Sequence, residues 1–262
     1  MKICQSSNVV INPFIMKKIK LSFAAVLLLA AVACKKSNNT TPTTGGNVSN
    51  QEAADMVAGS ISLNSNGVAN VAADASLNAS IFVSTHASCG TTKSDSISRQ
   101  SNPNAPFSYS YKLKYNFTVD CDGSQPDSLS SNLTYSGSFN GPNMSSSNSG
   151  TSNFTVNGLL PGASNFVING EYKRAGSFSS KIDTSNHGNS NIDIVIKSLT
   201  LAKPSRNIVS GTATISITGD VPRKGSFSYT GTLVFNNNGT ATLTLNGTVY
   251  IINLASGDRL KV

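Results

Sequence analysis

The chain has 262 residues, of which only 12% are charged, and it contains no tryptophan. Its formal charge is +8, but four of its lysines and none of its acids lie within residues 1–33, so the rest of the chain carries only +4. The remaining cations are scattered, without the basic stripe and interleaved aromatic residues of a nucleic-acid-binding surface. We therefore exclude a nucleic-acid partner.

Residues 16–34 have the layout of an export signal. A run with three lysines leads into an apolar segment that ends Leu-Ala-Ala-Val-Ala immediately before Cys34. The segment is too short to be a permanent membrane span, and small residues precede the cysteine. This layout resembles the signal peptides of bacterial lipoproteins, and the resemblance implies that Cys34 becomes the acylated first residue of the mature chain. We assign residues 1–33 to the signal peptide and interpret residues 1–15 as a start-site overcall.

Residues 34–50 follow as the lipidated cysteine and a tether. After Cys34 the segment is almost entirely Ser, Thr, Asn, Gly, Pro and Lys, which cannot bury enough apolar surface to fold. We predict a disordered link between a lipid anchor in the outer membrane and a folded domain. Surface-exported lipoproteins of Bacteroidetes tend to carry acids after the cysteine, whereas Lys35 and Lys36 follow here. The prediction is therefore the periplasmic face of the outer membrane, with the cell surface as the alternative.

Residues 51–262 are predicted to form a single β-rich domain, in which the part 51–104 has the weaker pattern. The stretch Gln51 to Ala58 is consistent with a short N-terminal helix. The stretch Ser76 to Thr85 is consistent with either a strand or a helix.

From Phe107 onward, apolar and polar residues alternate along one segment after another. Every odd position from Phe107 to Val119 is apolar or aromatic, which predicts a long strand with one buried face. The pattern recurs in seven further segments: Leu129 to Phe139, Phe154 to Leu160, Phe166 to Phe178, Ile192 to Leu201, Val209 to Gly219, Phe227 to Phe235 and Ala241 to Ile251. One apolar and one polar face indicate an antiparallel sheet with one side in water. The predicted class is all-β.

Two irregularities in these segments predict curvature. Between Ile196 and Leu199 the apolar phase slips by one residue, which indicates a β-bulge. Glycine also repeatedly occupies the apolar phase, as at Gly137 and Gly170, where it marks a bend or makes room for an aromatic ring. We therefore expect a strongly coiled antiparallel sheet, forming a sandwich or a partly open barrel.

Two cysteines remain in the predicted domain, Cys89 and Cys121. In an oxidising compartment an even pair with no other thiol favours a disulfide, and two unpaired buried thiols are the alternative. A metal site is not predicted, because the two histidines, His86 and His187, are not at ligand spacing from a cysteine and no CxxC motif is present.

Catalytic motifs are absent from the sequence. Serine is abundant, but no Gly-x-Ser-x-Gly elbow occurs, and the few carboxylates are scattered. We predict no catalytic residues, no cofactor and no enzymatic activity.

The signal, the tether and the Ser/Thr/Asn-rich strands together resemble the β-rich lipoproteins of Bacteroidetes. The resemblance implies a non-catalytic cell-envelope lipoprotein that acts as a binding or structural module on the outer membrane. Its partners would be the membrane, through the lipid anchor, and an envelope protein or glycan. In the alternative, the chain resembles the periplasmic lipoprotein-carrier fold and holds an apolar ligand or acyl chain in its curled sheet.

Overall fold

The computed structural model describes residues 48–105, 107–160 and 162–262. The proposed acylation site Cys34, the signal peptide and most of the tether lie outside these residues and stay predictions. Two helices come first in the described chain, α1 (Asn50–Ile61) and α2 (Val68–Ser84), with a 3₁₀ turn at Leu63–Ser65 between them.

Eleven strands follow in the described residues and form one antiparallel sheet, in which each strand pairs with the next one along the chain. They are β1 (Thr92–Gln100), β2 (Ser108–Asp122), β3 (Gln125–Asn140), β4 (Met144–Asn157), β5 (Asn165–Ser180), β6 (His187–Ala202), β7 (Ile208–Val221), β8 (Gly225–Phe235), β9 (Thr240–Leu245), β10 (Thr248–Asn253) and β11 (Arg259–Lys261). Within the described sheet, β1 and β11 are the two edges and do not pair with each other. The predicted all-β antiparallel class is confirmed, and the sheet is open.

The alternating apolar and polar residues of the sequence lie on the two opposite faces of the sheet. In β2 the odd residues Tyr111, Leu113 and Phe117 are almost fully buried, whereas the even residues between them are exposed. The predicted phase slip is confirmed as an irregularity in the β6–β7 pairing, between Lys197 and Thr200. Ser198 lies there in the left-handed region, with φ of 54°.

The sheet is strongly curled, as a single carboxylate shows. Asp55 on α1 accepts a hydrogen bond from Asn143 just before β4, at 3.0 Å, and two from Arg259 on β11, at 2.7 and 2.8 Å. In a flat sheet, seven strand spacings would separate β4 from β11 by about 34 Å. One side chain reaches both only because the sheet wraps around the helix.

Each helix is tied to an edge strand by an ion pair. Asp55 and Arg259 join α1 to β11, and both side chains are only 5% exposed. On the other side, Asp74 of α2 pairs with Arg99 of β1 at 2.6 Å and accepts a hydrogen bond from Tyr115 at 2.5 Å. The two helices therefore hold the two open edges of the sheet.

Helix α2 resolves the ambiguity at Ser76 to Thr85, which is helical up to Ser84. Its sequence is rich in alanine, the residue with the strongest helix propensity. Buried alanines on its inner side, such as Ala72, Ala75 and Ala79, let the helix approach the sheet closely.

The centre of the concave face is polar. Arg174 on β5 is 6% exposed and donates to the carbonyl of Gly59 in the last turn of α1, to the Tyr111 hydroxyl at 3.1 Å and to Ser146 Oγ at 2.9 Å. Carbonyls at a helix C-terminus carry partial negative charge, so the end of α1 favours a cation there. Tyr172 adds a hydrogen bond to the carbonyl of Asn66, between the helices, at 3.0 Å.

Aromatic rings cover glycines in this region, as one reading of the glycine pattern predicted. A Cβ atom on Gly137 would lie 2.3 Å from the ring of Tyr111, and one on Gly150 would lie 2.6 Å from the Tyr135 hydroxyl. The rings therefore fill the space that side chains at these two positions would take.

The N-terminus of α1 is closed by a capping box. Ser49 and Glu52 exchange hydrogen bonds of 3.0 and 3.1 Å between side chain and backbone, and Asn186 donates to both oxygens of Glu52 at 3.0 Å. Burial raises the pKa of Glu52, but hydrogen bonds from Ser180, Ser49 and Asn186 outweigh it, so the pKa lies below its usual value of 4.5.

This lowered pKa makes the stability of the fold dependent on pH. Ionised Glu52 stabilises the folded state above the pKa of the unfolded chain, about 4.5, and this contribution is lost as the pH falls through the lower folded pKa. We expect Glu52→Gln to reduce stability at pH 7 and to weaken the dependence of stability on pH below about 5. Urea unfolding followed from about pH 3 to about pH 7, the range over which this contribution changes, measures both. Parallel pH profiles for the two proteins would contradict this account.

Candidate functional site

An open cavity lies where α2 ends, and we name it the apolar pocket. Its first wall is the segment after α2. Thr85 Oγ1 donates to the carbonyl of Ile81 at 2.9 Å, and the Ala87 amide donates to the carbonyl of Phe82 at 3.0 Å. His86 between them has a left-handed backbone, with φ of 50°. The chain thus turns back sharply and places residues 86–89 along one side of the cavity.

The rest of the lining comes from the ends of three strands. Val119 near the end of β2, the β2–β3 turn at Gly123–Gln125 and the segment after β4 with Leu159 and Leu160 all line the cavity. Backbone hydrogen bonds of 2.9 Å, from Gly90 to Val119 and from Val119 to Thr91, fix the first wall to β2.

A disulfide fixes the same junction covalently. Cys89 and Cys121 form the predicted disulfide, with their Cα atoms 5.7 Å apart, within the usual range for such bridges. Cys89 itself lines the cavity, so the bridge is part of the wall.

The cavity has a volume of about 650 Å³, which lies within the range of small-molecule sites in proteins. Its complete lining is Phe82, Val83, His86, Ala87, Ser88, Cys89, Val119, Gly123, Ser124, Gln125, Pro126, Leu159 and Leu160. No Asp, Glu, Lys or Arg belongs to this set. Leu160, at the rim, is 49% exposed. An apolar group entering the cavity would therefore be removed from water without displacing any charged side chain from its partners.

Sequence reasoning missed this pocket. Its residues come from four separate segments of the chain, and only the fold brings them together. The sequence carried one signal of the pocket. Leu159 and Leu160 are adjacent apolar residues, and they interrupt the alternation of apolar and polar residues that a strand with one face in water shows.

Of the site residues expected from the sequence, the structure brings together Cys89 and Cys121 and does not describe Cys34. In residues 48–105, 107–160 and 162–262, no three His, Cys, Asp or Glu side chains are grouped so that they could hold a metal ion. Neither described helix has the length and apolarity that a membrane span requires.

Comparison with known proteins found no matching family model, no matching curated protein and no matching solved structure.

Proposed function

We propose that the chain is a non-catalytic binding module of the bacterial outer membrane, anchored through Cys34, and that it holds the apolar part of a ligand in the apolar pocket. The single observation that carries the binding function is the cavity of about 650 Å³ at the end of α2, which no Asp, Glu, Lys or Arg lines. Such a cavity, lined mainly by apolar residues with a few polar ones, is the usual form of a site for a small apolar ligand.

The location at the envelope is supported by different observations. The lipoprotein-like signal supports export and anchoring, and a disulfide is typical of proteins outside the reducing cytosol.

A carrier of an acyl chain is the second candidate, and the curled sheet with two N-terminal helices favours it. In the described structure the helices and the rings of Tyr111, Tyr135 and Tyr172 occupy the concave face, and the apolar pocket opens at the end of the sheet. A carrier with this filled concave face would hold its ligand in the apolar pocket at the end of the sheet.

Binding is tested with N-phenylnaphthylamine, a neutral apolar fluorophore whose emission rises on leaving water. The protein is residues 35–262, which lack the acylated cysteine and keep every contact described above. We expect saturable binding, and Leu160→Asp is expected to weaken it about tenfold, because the probe then loses apolar contact and meets a charge.

The matched control is Ile182→Asp in the turn between β5 and β6. Ile182 is 48% exposed, almost the same as Leu160, but it does not line the pocket. Both substitutions are expected to leave the unfolding transition near that of the wild type, because both positions are at the surface. Equal weakening by the two variants, or no saturable binding, would contradict the proposed function.

A further inference from the structure

A second cavity, which we name the Arg206 pocket, opens beside the first turns of α2. The role inferred for it below rests on the proposed function. The cavity has a volume of about 390 Å³. Leu63, Ala69 and Ala73 form its helical side, and Arg206 and Asn237, from two turns at the end of the sheet, form the other. The cavity therefore combines an apolar wall with a cation and an amide.

The guanidinium of Arg206 is available to a ligand. In contrast to Arg99, Arg174 and Arg259, it has no hydrogen bond or ion pair with any described residue, although it is half-buried. The side-chain amide of Asn237 has no described partner either. The backbone of Arg206 is fixed in the β6–β7 turn by a hydrogen bond of 2.7 Å from its amide to the carbonyl of Ala202. The guanidinium on this fixed backbone can bind a carboxylate or a phosphate through two parallel hydrogen bonds.

The two cavities open along the same flank of α2. Ala69 and Ala73 line the Arg206 pocket, and Val83 lines the apolar pocket. Together with Ser76 and Ser80 they follow the alternating four- and three-residue spacing that places side chains on one helical stripe. Ala73 and Val83, the lining residues of the two cavities that face each other along this stripe, are ten positions apart, or about 15 Å along a helix. A lipid acyl chain has about this length, since two of them span the roughly 30 Å hydrocarbon core of a bilayer.

The surface of α2 between the cavities, to which Leu77 and Ser80 belong, carries no charged side chain, and Ser76 lies beneath it with 0% exposure. Ser76 Oγ donates to the carbonyl of Ala73 at 2.9 Å, and Ser80 Oγ donates to the carbonyl of Ser76 at 3.0 Å, so neither hydroxyl needs water. The one ionisable residue of α2, Asp74, is 8% exposed and points to Arg99 and Tyr115 instead. Leu77, beside the stripe, is 41% exposed.

We infer that the ligand is a long-chain amphiphile with an anionic head, whose tail ends in the apolar pocket and whose carboxylate or phosphate binds Arg206. Its chain passes over Leu77 and Ser80 on the way from Ala73 to Val83. A ligand with a much shorter chain would fill the apolar pocket without reaching the cation.

The test is displacement of bound N-phenylnaphthylamine from residues 35–262 by tetradecanoate, tetradecyl phosphate and tetradecanol, each below the concentration at which micelles form. We expect the better of the two anions to displace the probe at about a tenfold lower concentration than the alcohol, the size expected for a hydrogen bond to a charged group. Whichever of the two binds more tightly identifies the head group. Octanoate and octanol are expected to be equally weak competitors.

The matched variants are Arg206→Gln and Arg223→Gln. Both arginines lie in turns between strands with left-handed backbones, at φ of 59° and 67°, but Arg223 does not line the cavity. Arg206→Gln is expected to remove the preference for the anion and to leave displacement by tetradecanol unchanged, whereas Arg223→Gln keeps the preference.

Equal displacement by the alcohol and by the better of the two anions, or an equal effect of the two arginine variants, would overturn this inference and leave the apolar pocket in place. Failure of the probe itself to bind would instead contradict the proposed function.

Discussion

Replacing Asp55 by alanine is expected to lower the free energy of unfolding by about 3 to 5 kcal/mol. The substitution leaves Arg259 charged and without its carboxylate in a position where its side chain is only 5% exposed. It also removes the acceptor for Asn143 and so releases α1 from both sides of the curled sheet. Urea unfolding at pH 7, followed by circular dichroism, measures the loss.

Two further variants separate the charge from the packing. Asp55→Leu combined with Arg259→Met is expected to recover much of the lost stability, because a buried ion pair can be replaced by apolar residues of similar size at little cost. Glu171→Ala, which breaks the exposed pair with Lys173 at 2.8 Å, is expected to have a much smaller effect than Asp55→Ala. Similar losses for Asp55→Ala and Glu171→Ala would refute the role given to the buried pair.

Replacing both Cys89 and Cys121 by serine is expected to cost about 3 to 4 kcal/mol, because the bridge closes a loop between residues 32 positions apart and so restricts the unfolded chain. The double variant is also expected to bind N-phenylnaphthylamine more weakly, since Cys89 lies in the wall of the apolar pocket. Thermal unfolding and probe titration measure the two effects.

A reducing agent provides the control for this prediction. Residues 35–262 contain no other cysteine, so a dithiol reductant should shift the unfolding of the wild type towards that of the double variant and leave the double variant unchanged. A wild-type protein that unfolds at the same temperature with and without reductant, under conditions that reduce the bridge, would contradict the prediction.

The predicted strands that the structure confirms are those with an apolar buried face. Strand β2 is the clearest case, and the bulge near Ser198 was visible because it shifts the apolar phase. The prediction of Ala241 to Ile251 as one strand is wrong, because β9 and β10 form a hairpin across Asn246 and Gly247. An alternating apolar pattern depends only on which face of the strand is buried. It can therefore be recognised without knowing which helix or strand packs against that face.

Strand β1 and the first part of β4 escaped prediction because their inward side chains are polar. In β1, Lys93 and Arg99 face α2 and contact Asn78 and Asp74, so the apolar alternation is missing. The first part of β4 carries Ser146 and Asn148 on the concave face, where they accompany Arg174 and Tyr111. Polar residues can occupy buried positions only when partners satisfy them, and those partners are distant in sequence.

The candidate site could be predicted only in its covalent part. The pairing of Cys89 with Cys121 follows from counting cysteines, whereas the two cavities depend on where α2 lies against the strand ends. Neither Arg206 nor Asn237 belongs to a recognisable motif. They matter because they line a cavity on the same flank of α2 as the apolar pocket, and because their side chains have no hydrogen-bond partner among the described residues.

The tie between α1 and β11 has a consequence for biosynthesis. Asp55 precedes Arg259 by 204 residues, so a chain that emerges from its N-terminus exposes this helix long before its anchor has been made. Hairpins can assemble as they appear, because every strand pairs with its immediate successor. Docking of the first helix is completed only by the final strand, although β5 and the β5–β6 turn contact it earlier. One of the first elements made is therefore among the last to be fully fixed, and premature release from the ribosome or the export machinery would leave it without its buried ion pair.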